Sequence, residues 1–335
     1  MVRLRTTSPD MPGWARRRAG RGFVYLDSDG DRVPDEDAQR VRDLVIPPAW
    51  EDVWISPYAN GHLQAVGTDE AGRRQYLYHP DWRARRDILK YERVMQLGRV
   101  LAEVRRRLLT DLAVEDMTRE RASAIAVRLL DLGYFRIGND VYTDQNGSFG
   151  LTSLERRHVR RHGDTLVFEF TGKSGIDHII EIDDALVLAA IDILRRRRSK
   201  ADNALLAYKD GRLWKRLDPV VVNDYVRQVT ELEVSAKDFR TWHATVLAAV
   251  ALADSEEPGD TQASQRRAIS SAVKEVAGYL GNTPTVARSS YIDPRVIELY
   301  EQGVTITPSS RRRHTDPDEL RGATVRAVLR LLKDS

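Results

Sequence analysis

Residues 164–182, Asp164-Thr165-Leu166-Val167-Phe168-Glu169-Phe170-Thr171-Gly172-Lys173-Ser174-Gly175-Ile176-Asp177-His178-Ile179-Ile180-Glu181-Ile182, read as two strands joined by a turn. β-branched and aromatic residues fill the two flanks, and both glycines sit in the connection 171–175. Gly172-Lys173-Ser174 invites a phosphate-loop reading. That loop needs a glycine at 167, where the chain has Val167, and it must lead into a helix rather than a second strand. The segment therefore argues against a nucleotide-hydrolysing fold. It reads as an antiparallel hairpin with one lysine at its tip, which is either an exposed turn residue or a group able to reach into a cleft.

Helical periodicity surrounds this hairpin. Downstream, helices are expected at about 184–197, 219–231, 241–253, 262–280, 284–291 and 316–333. Upstream, Val94, Leu97, Val100, Leu101, Val104 and Leu108 mark one helix, and Ile125, Leu129 and Leu130 mark another at about 119–132. Before residue 80 the pattern is different. Short β segments (22–26, 53–55, 62–66, 75–78) surround a helix at about 35–45 that Pro47-Pro48 stops. The turn Asp27-Ser28-Asp29-Gly30-Asp31 suggests that strand 22–26 opens a hairpin. Its spaced acids imitate a calcium loop, but Arg32 and Ala38 stand where that loop needs Gly and Glu, so an ordinary turn is expected. The division expected is a flexible basic arm at 1–21, a β-rich domain at 22–85 and a mainly helical domain at 86–335. The fold class expected is α+β, with a small mostly-β N-terminal domain and a larger helical domain carrying a small antiparallel sheet.

The chain has 335 residues, 41% hydrophobic and 31% charged, enough for two cores. It has no cysteine, which removes disulfides, thiolate nucleophiles and cysteine metal sites together. The seven histidines show no dense ligand spacing, and the His158/His162 pair reads as surface. No metal and no cofactor are expected. No transmembrane run or signal peptide is read from the sequence, so a cytoplasmic protein is expected. Net charge is only +3, yet it is built from 45 arginines and eight lysines. A biased genome accounts for most of that; arginine is also the better bidentate partner of phosphate.

Three further segments carry chemistry-bearing residues: Gly133-Tyr134-Phe135-Arg136-Ile137-Gly138-Asn139, Lys237-Asp238-Phe239-Arg240-Thr241-Trp242-His243, and Leu280-Gly281-Asn282-Thr283-Pro284 running on to Tyr291. Gly281 suits a helix end, Thr283 a cap and Pro284 a first turn, which places Tyr291 near the close of a short helix before Pro294. Singly, Arg136 and Arg240 suit structural ion pairs, and Tyr291 suits a half-buried packing position.

In this order, Arg136, Lys173, Arg240, Asn282 and Tyr291 resemble the active-site pattern of the type IB DNA topoisomerases, specifically their poxvirus-like and bacterial branch. The likeness covers nearly the whole chain. Arg74-Gln75-Tyr76-Leu77-Tyr78 resembles the family's strand that meets DNA in the major groove, with Gln75, Tyr76 and Tyr78 facing the groove. The resemblance implies relaxation of supercoiled DNA without ATP or an obligatory metal, through a 3′-phosphotyrosyl intermediate, strand rotation and religation. Tyr291 would be the nucleophile, Arg136 and Arg240 the stabilisers of phosphate charge, and Lys173 the general acid toward the leaving 5′-oxygen. A free phenol has a pKa of about 10, so the proton must leave during attack, and the sequence offers no obvious base. Asn282 departs from the family, whose poxviral and eukaryotic members have histidine there. Asparagine donates a neutral hydrogen bond and cannot carry a proton.

The resemblance also implies a monomer closing as a C-shaped clamp around double-stranded DNA in the nucleoid, with no membrane partner. Two other readings compete. Tyrosine recombinases share the Arg–Lys–Arg–Tyr chemistry but usually carry His where this chain has Lys237, and they begin with a helical DNA-binding domain. Lys237 then reads as a second catalytic or phosphate-contacting lysine. A non-catalytic DNA-binding protein would keep the basic surface and not need Tyr291.

Overall fold

The computed structural model describes residues 2–133, 135–138, 147–198, 203–255, 261–307 and 317–333. Tyr134, Asn139 and the Arg311-Arg312-Arg313 run, all singled out from the sequence, lie outside the described residues. The chain divides into two compact units, Met1–Lys90 and Tyr91–Ser335. The division falls five residues beyond the expected 85/86. The change to helical periodicity marks the start of helix α2 (Pro80–Leu112), a 33-residue element that continues through the division.

The first unit is a five-stranded antiparallel sheet in the order β2-β1-β3-β4-β5. The strands are β1 (Trp14–Ala19), β2 (Gly22–Leu26), β3 (Glu51–Ile55), β4 (Leu63–Thr68) and β5 (Arg74–Tyr78), with helix α1 (Asp35–Asp43) after β2. Val41 of α1 packs on Val53, Ile55 and Ala65, with Trp14, Tyr25, Trp50 and Leu77 around them. The expected basic arm at 1–21 is corrected here, because residues 14–19 form an interior strand. Its arginines hid it. Arg16 lays its guanidinium over the Phe23 ring at 4.2 Å and donates to the carbonyls of Ile46, at 3.2 Å, Pro47, at 3.0 Å, and Trp50. A cation whose stem packs and whose head is met by carbonyls is tolerated in a strand. Arg5 also bridges to Gly61.

Strand β2 pairs along its length with β1, across Gly20, which takes φ +58°, and the expected hairpin after β2 is present as a single antiparallel bridge from Leu26 to Arg32. The acid-rich turn at 27–31 is closed by its own first residue. Asp27 Oδ1 accepts from the amides of Asp29 (3.0 Å) and Asp31 (2.9 Å), which is ordinary Asx-turn chemistry.

The second unit contains the rest of α2, then α3 (Arg119–Gly133), α4 (Ala185–Arg196), α5 (Pro219–Thr230), α6 (Ala236–Ala253), α7 (Gln262–Leu280), α8 (Pro284–Ser290), α9 (Pro294–Glu301) and α10 (Pro317–Lys333). The quoted hairpin is present as β7 (Thr165–Thr171) and β8 (Asp177–Ile182), extended by β6 (Val159–His162) into a three-stranded antiparallel sheet. A second hairpin, β9 (Ala207–Asp210) with β10 (Leu213–Arg216), was not read from the sequence. The architecture is therefore α+β, a β-rich first unit and a mainly helical second one.

Packing in this unit runs through α2, α3 and α6. Leu97, Leu101, Ile125, Leu129, Phe239 and Trp242 are all fully buried. At Gly98 a Cβ would stand 2.6 Å from the Trp242 ring, so the glycine lets α6 seat its largest side chain against α2. As expected, the short helix α8 closes before Pro294; Pro294 then opens α9, with the Asp293 carboxylate capping Arg295 N at 3.1 Å. His158 is buried rather than surface. Its Nδ1 accepts from Glu155 N at 3.0 Å, and its ring meets Phe149 edge-on at 4.3 Å.

Candidate active site

Four of the five residues matched from the sequence meet in the second unit. Arg136 follows the end of α3, in a segment fixed by backbone pairing: Leu151 N donates to Arg136 O at 2.8 Å and Thr152 N to Ile137 O at 2.9 Å. Two glycines make this crossing possible. Gly138 takes φ +86°, and a Cβ on Gly150 would fall 2.3 Å from Gly138 Cα. The side chain of Arg136 then reaches the α7–α8 turn, donating to Gly281 O at 3.1 Å and Asn282 Oδ1 at 2.5 Å.

Arg240 lies one turn into α6. The helix starts at Ala236, five residues earlier than the periodicity suggested, because Ser235 and Asp238 form a capping pair: Ser235 N and Oγ donate to Asp238 Oδ2 at 2.8 and 2.9 Å. Asp238 is also held by Arg93 of α2 at 2.9 Å. Arg240 is buried and donates to Leu280 O at 2.7 Å, so both arginines grip the same turn.

Tyr291 is the residue at which α8 ends, with φ −128° and ψ −32°. The Arg240 guanidinium stands 5.7 Å from the centre of its ring. Burial and the neighbouring Arg136 push the Arg240 pKa down to about 10, while Tyr291 acts to raise it. Arg136 is lowered too, by burial first, again with Tyr291 acting to raise it. Both remain cations at neutral pH, two like charges facing one phenol.

Lys173 occupies the β7–β8 tip, exposed, in a tight turn. Gly172 N donates to Ile176 O at 2.7 Å, and Ser174 is left-handed at φ 66° and ψ 25°, a conformation that costs a non-glycine residue. Lys237 is exposed in the first turn of α6, where the helix dipole disfavours a cation. Among the described residues neither lysine side chain has a hydrogen-bond partner, and the structure does not draw them onto Tyr291.

A buried carboxylate joins α3, the helix that precedes Arg136, to α6, the helix that carries Arg240. Asp131 on α3 receives Arg105 Nε and Nη2 at 2.8 and 2.9 Å, and His243 of α6 approaches to 3.3 Å. Burial alone would raise the Asp131 pKa; Arg105 and His243 outweigh it and hold the carboxyl well below its usual range. Sequence reading missed Asp131 and Arg105, since an Asp and an Arg on neighbouring helices give no spacing signal. It also missed His178, whose ring edge meets both Gly172 and Gly281.

In the first unit Arg74, Tyr76 and Tyr78 share the exposed face of β5, and the two tyrosines stack at 6.2 Å. Gln75 is corrected. Strand alternation turns it to the opposite face, where its amide donates to Asp69 Oδ2 at 2.8 Å. Among the described residues no cluster of His, Asp or Glu could hold a metal ion, and no helix is long and apolar enough to cross a membrane.

Comparison with known proteins places the chain in a family. The catalytic core of eukaryotic DNA topoisomerase I matches residues 79–311, and the N-terminal domain of bacterial DNA topoisomerase IB matches residues 22–69. These matches define an isomerase whose substrate is DNA. The chain belongs to the type IB DNA topoisomerase family. DNA topoisomerase 1B of Acanthamoeba polyphaga mimivirus is 27% identical over 299 residues, covering 87% of this chain and 88% of the relative. DNA topoisomerase 1B of Vaccinia virus (strain Copenhagen) is 20% identical over 261 residues, 76% of each chain. DNA topoisomerase 1 of Drosophila melanogaster is 27% identical over 167 residues, 48% of this chain and 16% of its own length.

Proposed function

We infer that the enzyme relaxes supercoiled DNA by transesterification at Tyr291, without ATP. The observation that carries this reading is the convergence of Arg136 and Arg240 on the turn that presents Asn282, with Tyr291 beside them. The Tyr291 oxygen attacks a backbone phosphorus, the bond from phosphorus to the 5′-oxygen breaks, and a 3′-phosphotyrosyl link and a 5′-hydroxyl result. Reversal after strand rotation reseals the duplex, and the phosphodiester energy stays in the covalent link.

The pentacoordinate phosphorus gathers charge on its non-bridging oxygens. Arg136 and Arg240 offer planar forks to those oxygens, and the Asn282 amide adds a neutral donor. Lys173, on its hairpin tip, protonates the departing 5′-oxygen, a task worth ~10²–10⁴-fold in rate. Lys237 contacts phosphate from the first turn of α6. In the first unit, Arg74 and the stacked pair Tyr76 and Tyr78 form the face offered to the groove. A monomer suffices, since one tyrosine cuts one strand; closure of both units on one duplex rests on the resemblance to the family.

The test is relaxation of negatively supercoiled plasmid in EDTA, without ATP, beside Tyr291→Phe. Relaxed topoisomers from the wild type alone support the reading. Relaxation by both proteins removes Tyr291 from the chemistry.

A further inference from the structure

A column of three rings runs through the second unit. Phe135, fully buried immediately before Arg136, stacks on Phe170 of β7 with centroids 6.0 Å apart and planes at 13°. Phe170 stacks in turn on His178, its cross-strand partner on β8, at 5.3 Å and 22°. The far edge of the His178 ring meets two glycines. A Cβ on Gly172 would lie 2.6 Å from His178 Cδ2, and one on Gly281 would lie 2.4 Å from His178 Cε1.

Gly172 is the residue before Lys173, and Gly281 is the residue before Asn282. The column therefore touches the backbone next to three residues of the proposed site: Arg136 at its near end, Lys173 and Asn282 at its far end. The geometry points to His178 as a positioning residue, a flat spacer that sets the lysine turn at a fixed distance from the Asn282 turn and from Arg136. Only a planar side chain fits with one face on Phe170 and its edge against two backbones that lack Cβ atoms. This inference rests on the proposed transesterification.

The charge around the ring agrees with an uncharged spacer. Burial first, then Arg136 and Arg240, lower its pKa, with Asp177 opposing them. Glu181 of the same strand and Lys274, Glu275 and Tyr279 of α7 line the groove on that side. A spacer acts by placing groups, so its loss should slow the covalent step and leave DNA affinity and fold in place. A residue needed only for folding would move all three together.

The experiment compares wild type, His178→Ala, Gly172→Ala and the double variant. The readouts are the rate of covalent protein–DNA adduct formation on supercoiled plasmid, trapped with detergent, equilibrium affinity for duplex DNA, and the thermal unfolding midpoint. Tyr291→Phe serves as the blank. His178→Ala is expected to slow adduct formation at least tenfold with affinity within about twofold. Gly172 has φ −95° and ψ −164°, open to alanine, so Gly172→Ala acts only by pushing the ring and should slow the same step. The double variant should be no slower than the worse single, because both changes break one contact. Wild-type rates in His178→Ala, equal losses of rate and affinity, or fully additive losses in the double variant overturn the inference. Absence of adduct from the wild type overturns the proposed chemistry instead.

Discussion

Arg136 Nη2 donates to Asn282 Oδ1 at 2.5 Å, and this contact fixes which way the Asn282 amide points. An arginine has only donors, so the atom facing it is the amide oxygen. The nitrogen, Nδ2, is then buried with no acceptor among the described residues. A buried donor left unmade is costly, and a phosphate oxygen would satisfy it. Asn282→Asp keeps the shape but places a carboxylate against Arg136 and removes the donor, so adduct formation should fall at least 100-fold. Asn282→His keeps a donor and should remain active. Equal rates for Asn282→Asp and wild type would detach Asn282 from the phosphate.

Arg240 is a second place where shape matters as much as charge. Arg240→Lys keeps one cation but loses the planar fork that reaches Leu280 O while facing Tyr291. Loss of one such donor to a transition state costs roughly 10²–10³-fold in rate. Single-turnover adduct formation should drop by that factor while duplex affinity changes severalfold at most. An unimpaired lysine variant would show that charge alone is enough.

Asp131 is argued on stability. Asp131→Asn leaves Arg105 buried beside a neutral amide, and breaking a buried pair from one side typically costs about 3–5 kcal/mol. The wild-type contribution also has a pH window. Because the folded pKa lies below the unfolded value of 3.8, stability from this group is present above that value and lost as pH falls below it. Urea unfolding of both proteins, at neutral pH and near pH 3, checks the claim; it fails if the two curves do not converge toward acid.

Buried histidines act in a different window. His158 and His178 both have folded pKa values below the unfolded 6.5, chiefly through burial. Above 6.5 they cost nothing. Below it the unfolded chain binds protons that the folded chain refuses, so stability falls with pH. Protonation of His158 would also end its acceptor role toward Glu155 N. His158→Gln, whose amide oxygen accepts the same bond, should lose less stability between about pH 7.5 and 5.5. The measurement is the thermal midpoint at both values, and an equal or larger drop in the variant counts against the assignment.

The stacked tyrosines of β5 carry a binding prediction. Tyr76→Ala with Tyr78→Ala should weaken duplex affinity severalfold without shifting the unfolding midpoint, because both rings are exposed. Gln75→Ala should leave affinity unchanged, since its amide is spent on Asp69. Comparable losses from Gln75→Ala and the tyrosine pair would reverse the assignment of faces.

Much of the helical unit was legible because its signals are local. Periodicity marked α3, α7 and α8 to within a residue or two, and the Gly281–Pro284 run announced its turn. The grouping of the candidate site was legible through residue order, since the fold brings Arg136, Arg240, Asn282 and Tyr291 together. What escaped depended on contacts between distant segments. β1 looked like a solvated arm because the carbonyls that receive Arg16 lie 30 residues or more away. Gln75 looked like a groove contact because it sits between Arg74 and Tyr76, which share the exposed face of β5 that it does not. His178 looked like one more strand residue, and only the approach of Gly281 from α7 shows what its ring meets.

The gripping of one turn by two arginines has a thermodynamic consequence. Burial first, and then the nearby Arg136, push the Arg240 pKa down to about 10, although it remains charged. The free enzyme thus holds two desolvated cations that its fold must accommodate, and on the function proposed above a phosphodiester entering the site would balance them. By linkage, duplex DNA should make the helical unit harder to unfold than its contacts alone would do, and polyvalent anions such as sulfate should reproduce part of that effect. On that reading, the DNA substrate completes the electrostatics of the helical unit.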